Sequence, residues 1–156
     1  MSKKISILIT TKNRIADLKV TLFNLAKLIN DAAVECMVYD DGSTDGTAIF
    51  VKENYPNIIF FRNEVSKGYM YNRNFLLNNC SGDYAVSLDD DAHFLSENVI
   101  ENISDYFESH PKCGVIACRI FWGKEAPIHL TTKLKSQRVK GFVGCGHVWN
   151  MQAWRT

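Results

Sequence analysis

An α/β fold, with a mostly parallel sheet flanked by helices, is predicted by three features of this 156-residue chain. Strand-like and helix-like segments alternate from the N-terminus onward, the pattern of a parallel sheet with right-handed crossovers. The first apolar run, Ile5–Thr10, is nearly continuous and rich in β-branched residues, as in a strand buried on both faces. Three polar clusters, Thr10–Arg14, Asp40–Asp41 and Asp89–Asp91, each follow a strand-like run. Parallel strands bring clusters so placed to one edge of the sheet, where open α/β sheets bind ligands.

The elements follow in order. After Ile5–Thr10, the residues Ile15, Leu18, Leu22, Leu25, Ala26 and Ile29 recur at helical spacing and predict an amphipathic helix. Val34–Tyr39 reads as a second strand that runs into Asp40-Asp41-Gly42-Ser43-Thr44-Asp45-Gly46. Ser43 or Thr44 is expected to cap the next helix, which runs to about Asn54 with Asp45 in its first turn. Ile58–Phe61 is a third strand, and Ser66–Cys80 a helix. Tyr84–Leu88 is a fourth strand ending in the aspartate triplet, after which Ser96 is expected to cap a helix carrying Val99, Ile103, Tyr106 and Phe107. Val115–Cys118 is a fifth strand, and Val139–Trp149 offers further strand.

No repeat, low-complexity tract or linker interrupts this pattern, so residues 1–156 are read as a single domain. The formal net charge of +1 does not advertise a polyanionic partner, and a nucleic-acid binder is not expected. One short basic run, Lys133, Lys135, Arg138 and Lys140, reads either as a solvated edge or as attraction for an anionic lipid surface or a diphosphate. The five cysteines form no CxxC pair and are odd in number, which fits free thiols in a reducing cytoplasm. No signal-peptide cleavage pattern is present, and no apolar stretch reaches the roughly 20 residues that span a bilayer. A cytoplasmic location is expected, with any membrane association peripheral, at the inner face.

Chemistry concentrates in the three clusters. Adjacent carboxylates such as Asp89, Asp90 and Asp91 repel one another unless a positive group sits among them. Their hard oxygens suit magnesium, manganese or calcium rather than zinc, while the competing reading is a solvated acidic turn. Alternation along a strand would put Asp89 and Asp91 on one side and Asp90 on the other. Asp40 and Asp41 are good turn and capping residues, and equally good acceptors for a base N–H or a ribose hydroxyl. Thr10 and Thr11 are placed to touch the same nucleotide, and Arg14 a phosphate. Gly68 stands where a helix N-terminus would favour an anion, and Arg73, further along, faces either the phosphates or a nearby carboxylate. The four histidines show no ligand spacing, and no GxxxxGK[ST] phosphate loop is present.

Taken together, ISILITTKNR, VYDDGSTDGT, SKGYMYNRN and SGDYAVSLDDDAHF resemble, in order and spacing, the family 2 glycosyltransferases. The resemblance covers roughly Ile5 to Phe94, and Gly141–Trp154 is similar to the family's acceptor-side segment. It implies a GT-A fold, built on a Rossmann-like sheet, and inverting transfer of a sugar from a nucleotide-diphosphate donor, by family frequency a UDP-sugar. It implies that Thr10 and Thr11 line the nucleotide pocket, that Asp41 contacts the base with Asp40 adjacent, and that Gly68 sits beside the nucleotide. Arg73 and Asn74 match the family's Arg-Asn pair. Asp89 and Asp91 match its DxD motif, with Asp90 between them at the donor and Asp91 the direct ligand of a manganese or magnesium ion. That ion would stabilise the departing diphosphate as a Lewis acid.

The family's catalytic base, an Asp or Glu, is expected beyond Thr156. The chain is therefore read as truncated on its acceptor and base side. Donor binding is expected of it, sugar transfer to a saccharide, lipid-linked or protein acceptor is expected of the intact enzyme in polysaccharide biosynthesis, and self-association is expected through exposed apolar surface. Two alternatives compete: a non-catalytic module that binds nucleotide-sugars, and a sugar nucleotidyltransferase. The latter would carry a glycine-rich loop where TTKNR stands.

Overall fold

The computed structural model describes residues 4–123 and 136–156. Of the basic run, Lys133 and Lys135 lie outside the described residues, while Arg138 and Lys140 are exposed.

Eleven elements follow one another among the described residues: β1 (Ile5–Thr11), α1 (Ile15–Ile29), β2 (Val34–Asp40), α2 (Thr47–Asn54), β3 (Ile59–Arg62), α3 (Tyr69–Asn79), β4 (Tyr84–Asp89), α4 (Val99–Ser109), β5 (Val115–Ala117), β6 (His147–Asn150) and the single turn α5 (Met151–Trp154). The strands form one six-stranded sheet in the order β3-β2-β1-β4-β6-β5. β1 lies parallel to both β2 and β4, and β3 is parallel to β2. Chain order therefore reverses beside β1, so the carboxyl ends of β1 and β4 flank a topological switch point.

The expected alternation holds for the first four strands and then changes. β6 pairs antiparallel with β4, and β5 reaches the sheet only through β6, also antiparallel. Val115–Ala117 is thus separated from β4 by a strand that comes later in the chain.

Two apolar layers cover the sheet. On one face Ile5, Ile7 and Ile9 of β1 pack with Leu18, Leu22 and Leu25 of α1, Val51 of α2, and Ile103 and Phe107 of α4. The other face carries Leu8, Met37, Tyr39 and Ala85 against Leu76 and Leu77 of α3 and Met151 of α5. The alternation of β1 explains this division, since successive side chains leave opposite faces and both faces are covered. Every residue of β1 is buried.

Neither predicted cap forms. α2 starts at Thr47 after Gly46, with no side-chain cap from Ser43 or Thr44. Asp45, one residue ahead of Gly46, accepts from the Thr47 N–H (3.2 Å) and hydroxyl (2.6 Å) instead. α4 starts after Asn98 rather than near Ser96, again with no side-chain cap. No helix among the described residues is long and apolar enough to cross a membrane.

Candidate functional site

The loops after β1 and β2 are stitched together before any ligand is considered. Asn13 takes a left-handed backbone (φ 52°), a conformation in which Asn is enriched. Its N–H donates to Ser43 Oγ at 2.9 Å, and its Oδ1 accepts from the Thr44 N–H at 2.7 Å. The Ile15 N–H donates to Asp45 at 2.9 Å. Ser43 and Thr44 thus fix the start of α1 rather than cap α2, and Asp45 serves both helix starts.

Asp40 and Asp41, adjacent in sequence, go to different places. Asp40 is fully buried; its Oδ1 accepts from the Ser43 N–H at 2.8 Å, and its Oδ2 faces Arg62 Nε at 3.2 Å. It braces the loop and does not line the groove described below. Asp41 does line it, as a collector of hydrogen bonds. Oδ1 accepts from Asn63 Nδ2 (2.7 Å) and the Lys67 N–H (2.8 Å), and Oδ2 from Ser66 Oγ (2.6 Å) and the Gly68 N–H (3.0 Å). A carboxylate offers about four lone-pair sites, so these donors fill it. Burial pushes the Asp41 carboxyl up, but hydrogen bonds from Ser66 and the Lys67 N–H lead the groups that hold it well below the usual carboxylate range. Gly68 adopts φ 88° and ψ 152°, a region open essentially to glycine alone, and this turns its N–H onto Asp41. Asp41 therefore shapes the segment leading into α3.

The aspartate triplet is arranged otherwise. β4 ends at Asp89, so strand alternation stops there, and Asp90 and Asp91 lie in the following turn. Asp89 projects on the α3 side, where Arg73 Nη2 pairs with its Oδ1. Asp90 is buried and accepts from Thr11 Oγ1 at 2.8 Å, while its backbone carbonyl accepts from Thr21 of α1 at 2.9 Å. Burial pushes the Asp90 carboxyl up, against the pull of Thr11 and Arg14. Asp91 is half-exposed and accepts from Arg14 Nη2 at 2.7 Å. Arg14 also lies 3.4 Å from Asp90 and 3.1 Å from Asp17. The positive charge that three neighbouring carboxylates require is thus supplied by two arginines. Among the described residues no set of three or more acidic, histidine or cysteine side chains is gathered to hold a metal unaided.

These residues surround a groove of about 630 Å³ at the switch point, within the size range of small-molecule sites. Thr10, Thr11, Arg14, Asp41, Gly68, Arg73, Asp89, Asp90 and Asp91 all line it, whereas Asp40, and Asn74 of the Arg73-Asn74 pair, do not. Lys12, Ser66, Tyr69, Asn72, Val143, Gly144 and Cys145 complete the lining, and none of these was singled out from the sequence. Ser66 had a signal in its place before a predicted helix. Val143–Cys145 fell within Gly141–Trp154, similar to an acceptor-side segment, but only the antiparallel pairing of β6 with β4 brings them to this groove. Cys145 is a buried thiol pushed up to about 11, mainly by burial, and so stays protonated.

Beside the groove, the α3-facing side of β4 and β6 carries polar atoms without partners: Ser87 Oγ, His147 Nδ1, Trp149 Nε1 and, from α3, Arg73 Nε. Ser87 and His147 are direct cross-strand partners, and His147 stands edge-on to Trp149 at 5.8 Å between ring centroids. Burial first, then the nearby Arg73 charge, pushes the His147 imidazole below its ordinary value. The Nδ2 of fully buried Asn72 also has no partner at the groove wall. Buried polar groups are normally satisfied, so these atoms mark where water or a ligand completes the site.

A mostly parallel sheet with an acidic turn at its switch point, facing the threonines that end β1 and the arginine after it, defines an open α/β protein with its groove at the carboxyl edge of the strands. Residues 6–141 match the model of glycosyl transferase family 2, and the chain belongs to that family. It is similar to the uncharacterised glycosyltransferase YfnE of Bacillus subtilis, with 29% identity over 122 residues, covering 76% of this chain and 30% of that protein. Among solved structures it resembles Staphylococcus aureus TarS 1-349 in complex with UDP-GlcNAc, with TM-score 0.73, 19% identity and coverage of 97% of this chain and 46% of that one. It also resembles the mannosyltransferase PcManGT from Pyrobaculum calidifontis in complex with GDP-Man and Mn2+, with TM-score 0.66, 22% identity and coverage of 76% and 36%. These likenesses establish the GT-A fold. The chain spans under half the length of each of these three relatives.

Proposed function

We propose that the groove binds the nucleoside-diphosphate part of a sugar donor, a UDP-sugar, and that the whole protein transfers that sugar with inversion to an acceptor hydroxyl. The observation that carries the reading is the convergence at one switch point of the β1 threonines, the Asp41-ordered loop and three carboxylates interleaved with two guanidiniums. Family membership and the nucleotide-sugars named in two structural neighbours support it.

The chain's own residues divide the work. Thr10 and Thr11 border the nucleotide, and the Lys67–Gly68 segment, held by Asp41, forms the wall beside the base. With its lone pairs filled, Asp41 acts on the base through this wall, and Asp40 supports the loop behind it. Arg14 and Arg73 present guanidinium forks to the diphosphate oxygens, the geometry that guanidinium matches best. The donor set fits a divalent cation: Asp89 and Asp91 are hard oxygen ligands, each partly exposed at the groove. They would hold manganese or magnesium, with phosphate oxygens and water completing the shell. Bound there, the ion would supply Lewis-acid stabilisation of the departing diphosphate. Asp90, tied to Thr11 and α1, fixes the turn that orients its neighbours. The acceptor is a saccharide, lipid-linked or protein hydroxyl, entering on the Val143–Cys145 side.

Calorimetric titration with UDP, GDP and TDP, with and without manganese, tests this on the wild-type chain and on Asp91→Ala. We expect one nucleotide to bind in a metal-dependent manner and Asp91→Ala to lose that dependence. Absence of nucleotide binding by a folded chain would overturn the donor-site reading.

A further inference from the structure

Arg14 and Arg73 stand in an unusual position for residues expected to grip a diphosphate, because both are already engaged by the carboxylates expected to grip a cation. Arg14 contacts Asp91 at 2.7 Å and Asp90 at 3.4 Å, and Arg73 holds Asp89. Each also has a second partner outside the aspartate triplet. Arg14 Nε donates to Asp17 on the first turn of α1 at 3.1 Å, and the Arg73 guanidinium lies 5.2 Å from the centroid of the Tyr69 ring. The carboxylate ends are partly exposed, with Asp89 at 40% and Asp91 at 48%, so water can replace either contact as it opens. The side-chain amide of fully buried Asn72 lines the same groove near Asp41, its nitrogen without a close hydrogen-bond partner.

Resting on the donor-site reading above, we infer that Arg14 and Arg73 are exchangeable counter-ions that make metal and diphosphate bind as a pair. A cation arriving alone meets three carboxylates already paired with two guanidiniums and is repelled by those guanidiniums. A diphosphate arriving alone meets guanidiniums already engaged and is repelled by three carboxylates. When both arrive, the guanidiniums swing to the phosphate oxygens, pivoting on Asp17 and Tyr69, and the freed carboxylates take the cation. For a sugar-linked diphosphate the net charge in the groove is then unchanged, since its two negative charges offset the two positive charges of the ion. The two ligands assist each other by the same factor in either order, as linkage requires.

The test is calorimetric titration of the chain with manganese alone and with manganese in the presence of the saturating nucleoside diphosphate, on wild type, Arg14→Gln and Arg14→Lys. In the wild type the nucleotide is expected to tighten manganese binding by roughly 5- to 150-fold, the usual range of coupling between sites. Arg14→Gln is expected to bind manganese alone more tightly than wild type, to bind the nucleotide alone more weakly, and to show reduced coupling. Arg14→Lys, which keeps the charge, is expected to restore the weak binding of manganese alone. Arg14 is half-exposed, so the variants should keep the wild-type melting curve, which is checked first. Unchanged binding of manganese alone by Arg14→Gln would overturn the exchange while leaving a metal-dependent donor site standing. Failure of a folded wild-type chain to bind nucleotide under any condition would remove both.

Discussion

The two walls of the groove solve the same problem, a carboxylate at a ligand-sized groove, in opposite ways. On the β2 side Asp41 is buried and filled by two backbone N–H groups, a hydroxyl and an amide. On the β4 side Asp89 and Asp91 are half-exposed and held by long arginine side chains. Backbone donors cannot leave without unfolding a loop, whereas guanidinium contacts at the surface open at little cost. The first wall is therefore preorganised and sets shape. The second is poised to exchange partners and responds to charge. The orphaned polar atoms of Ser87, His147 and Trp149 lie on this second side as well, so unfinished chemistry gathers where the antiparallel β6 joins the sheet.

The contrast is broken most severely by Asp41→Asn. An amide cannot accept on both ends, so at least one of the Asp41 donors loses its partner and a new N–H faces another. We expect a loss of about 2–3 kcal/mol in denaturant unfolding, the scale of hydrogen bonds to a charged group, and loss of nucleotide binding. The acid limb should change with it. The folded Asp41 carboxyl titrates below its unfolded value, so its contribution is present above about pH 4 and is lost as pH falls further. Asp41→Asn should lack that acid-dependent loss, and melting temperatures measured from pH 7 down to acid would show it.

Gly68→Ala probes the same wall more gently. No atom lies within 4 Å of the added Cβ, so the cost is purely that of the backbone conformation. We expect about 1–2 kcal/mol of destabilisation and weaker nucleotide binding through a displaced Lys67–Gly68 segment. Unchanged nucleotide affinity would show that this segment does not form the wall.

The smallest effect belongs to the exchanging side. The folded His147 imidazole titrates below its unfolded value of about 6.5, so stability is full above that pH and declines as pH falls through it. His147→Gln should flatten the slope of stability between pH 7 and 5 by a measurable fraction of a kcal/mol, as read by urea unfolding. An unaltered slope would mean that His147 is hydrated and not shielded beside Ser87 of β4.

Much of the groove-facing architecture was legible as pattern. Ile5–Thr10, Val34–Tyr39 and Tyr84–Leu88 announced strands by apolar and β-branched runs, and the polar residues following them marked one edge of a parallel sheet. Burial imposes such patterns locally, residue by residue, so a linear reading recovers them. The same reasoning grouped Thr10, Thr11, Arg14, Asp41, Gly68, Arg73 and the aspartate triplet, all of which line one groove.

Contacts between segments far apart in sequence were not legible. Nothing in Asp40-Asp41 says which carboxylate turns inward to Arg62 and which meets residues 63–68, because partners more than 20 positions away decide it. The predicted Ser43 cap yielded to Asn13 for the same reason, and alternation past Asp89 failed because the strand ends there. The sequence by itself determined the elements, their order and the chemistry at their ends, all of which follow from local burial and local hydrogen bonding. Only the tertiary structure decided that β6 would insert antiparallel beside β4, that Val143–Cys145 would face the aspartates, and that arginines from α1's entry and from α3 would occupy the carboxylates between them. Those outcomes depend on long-range pairing and on competition for charge in a shared space, which no short window of residues contains.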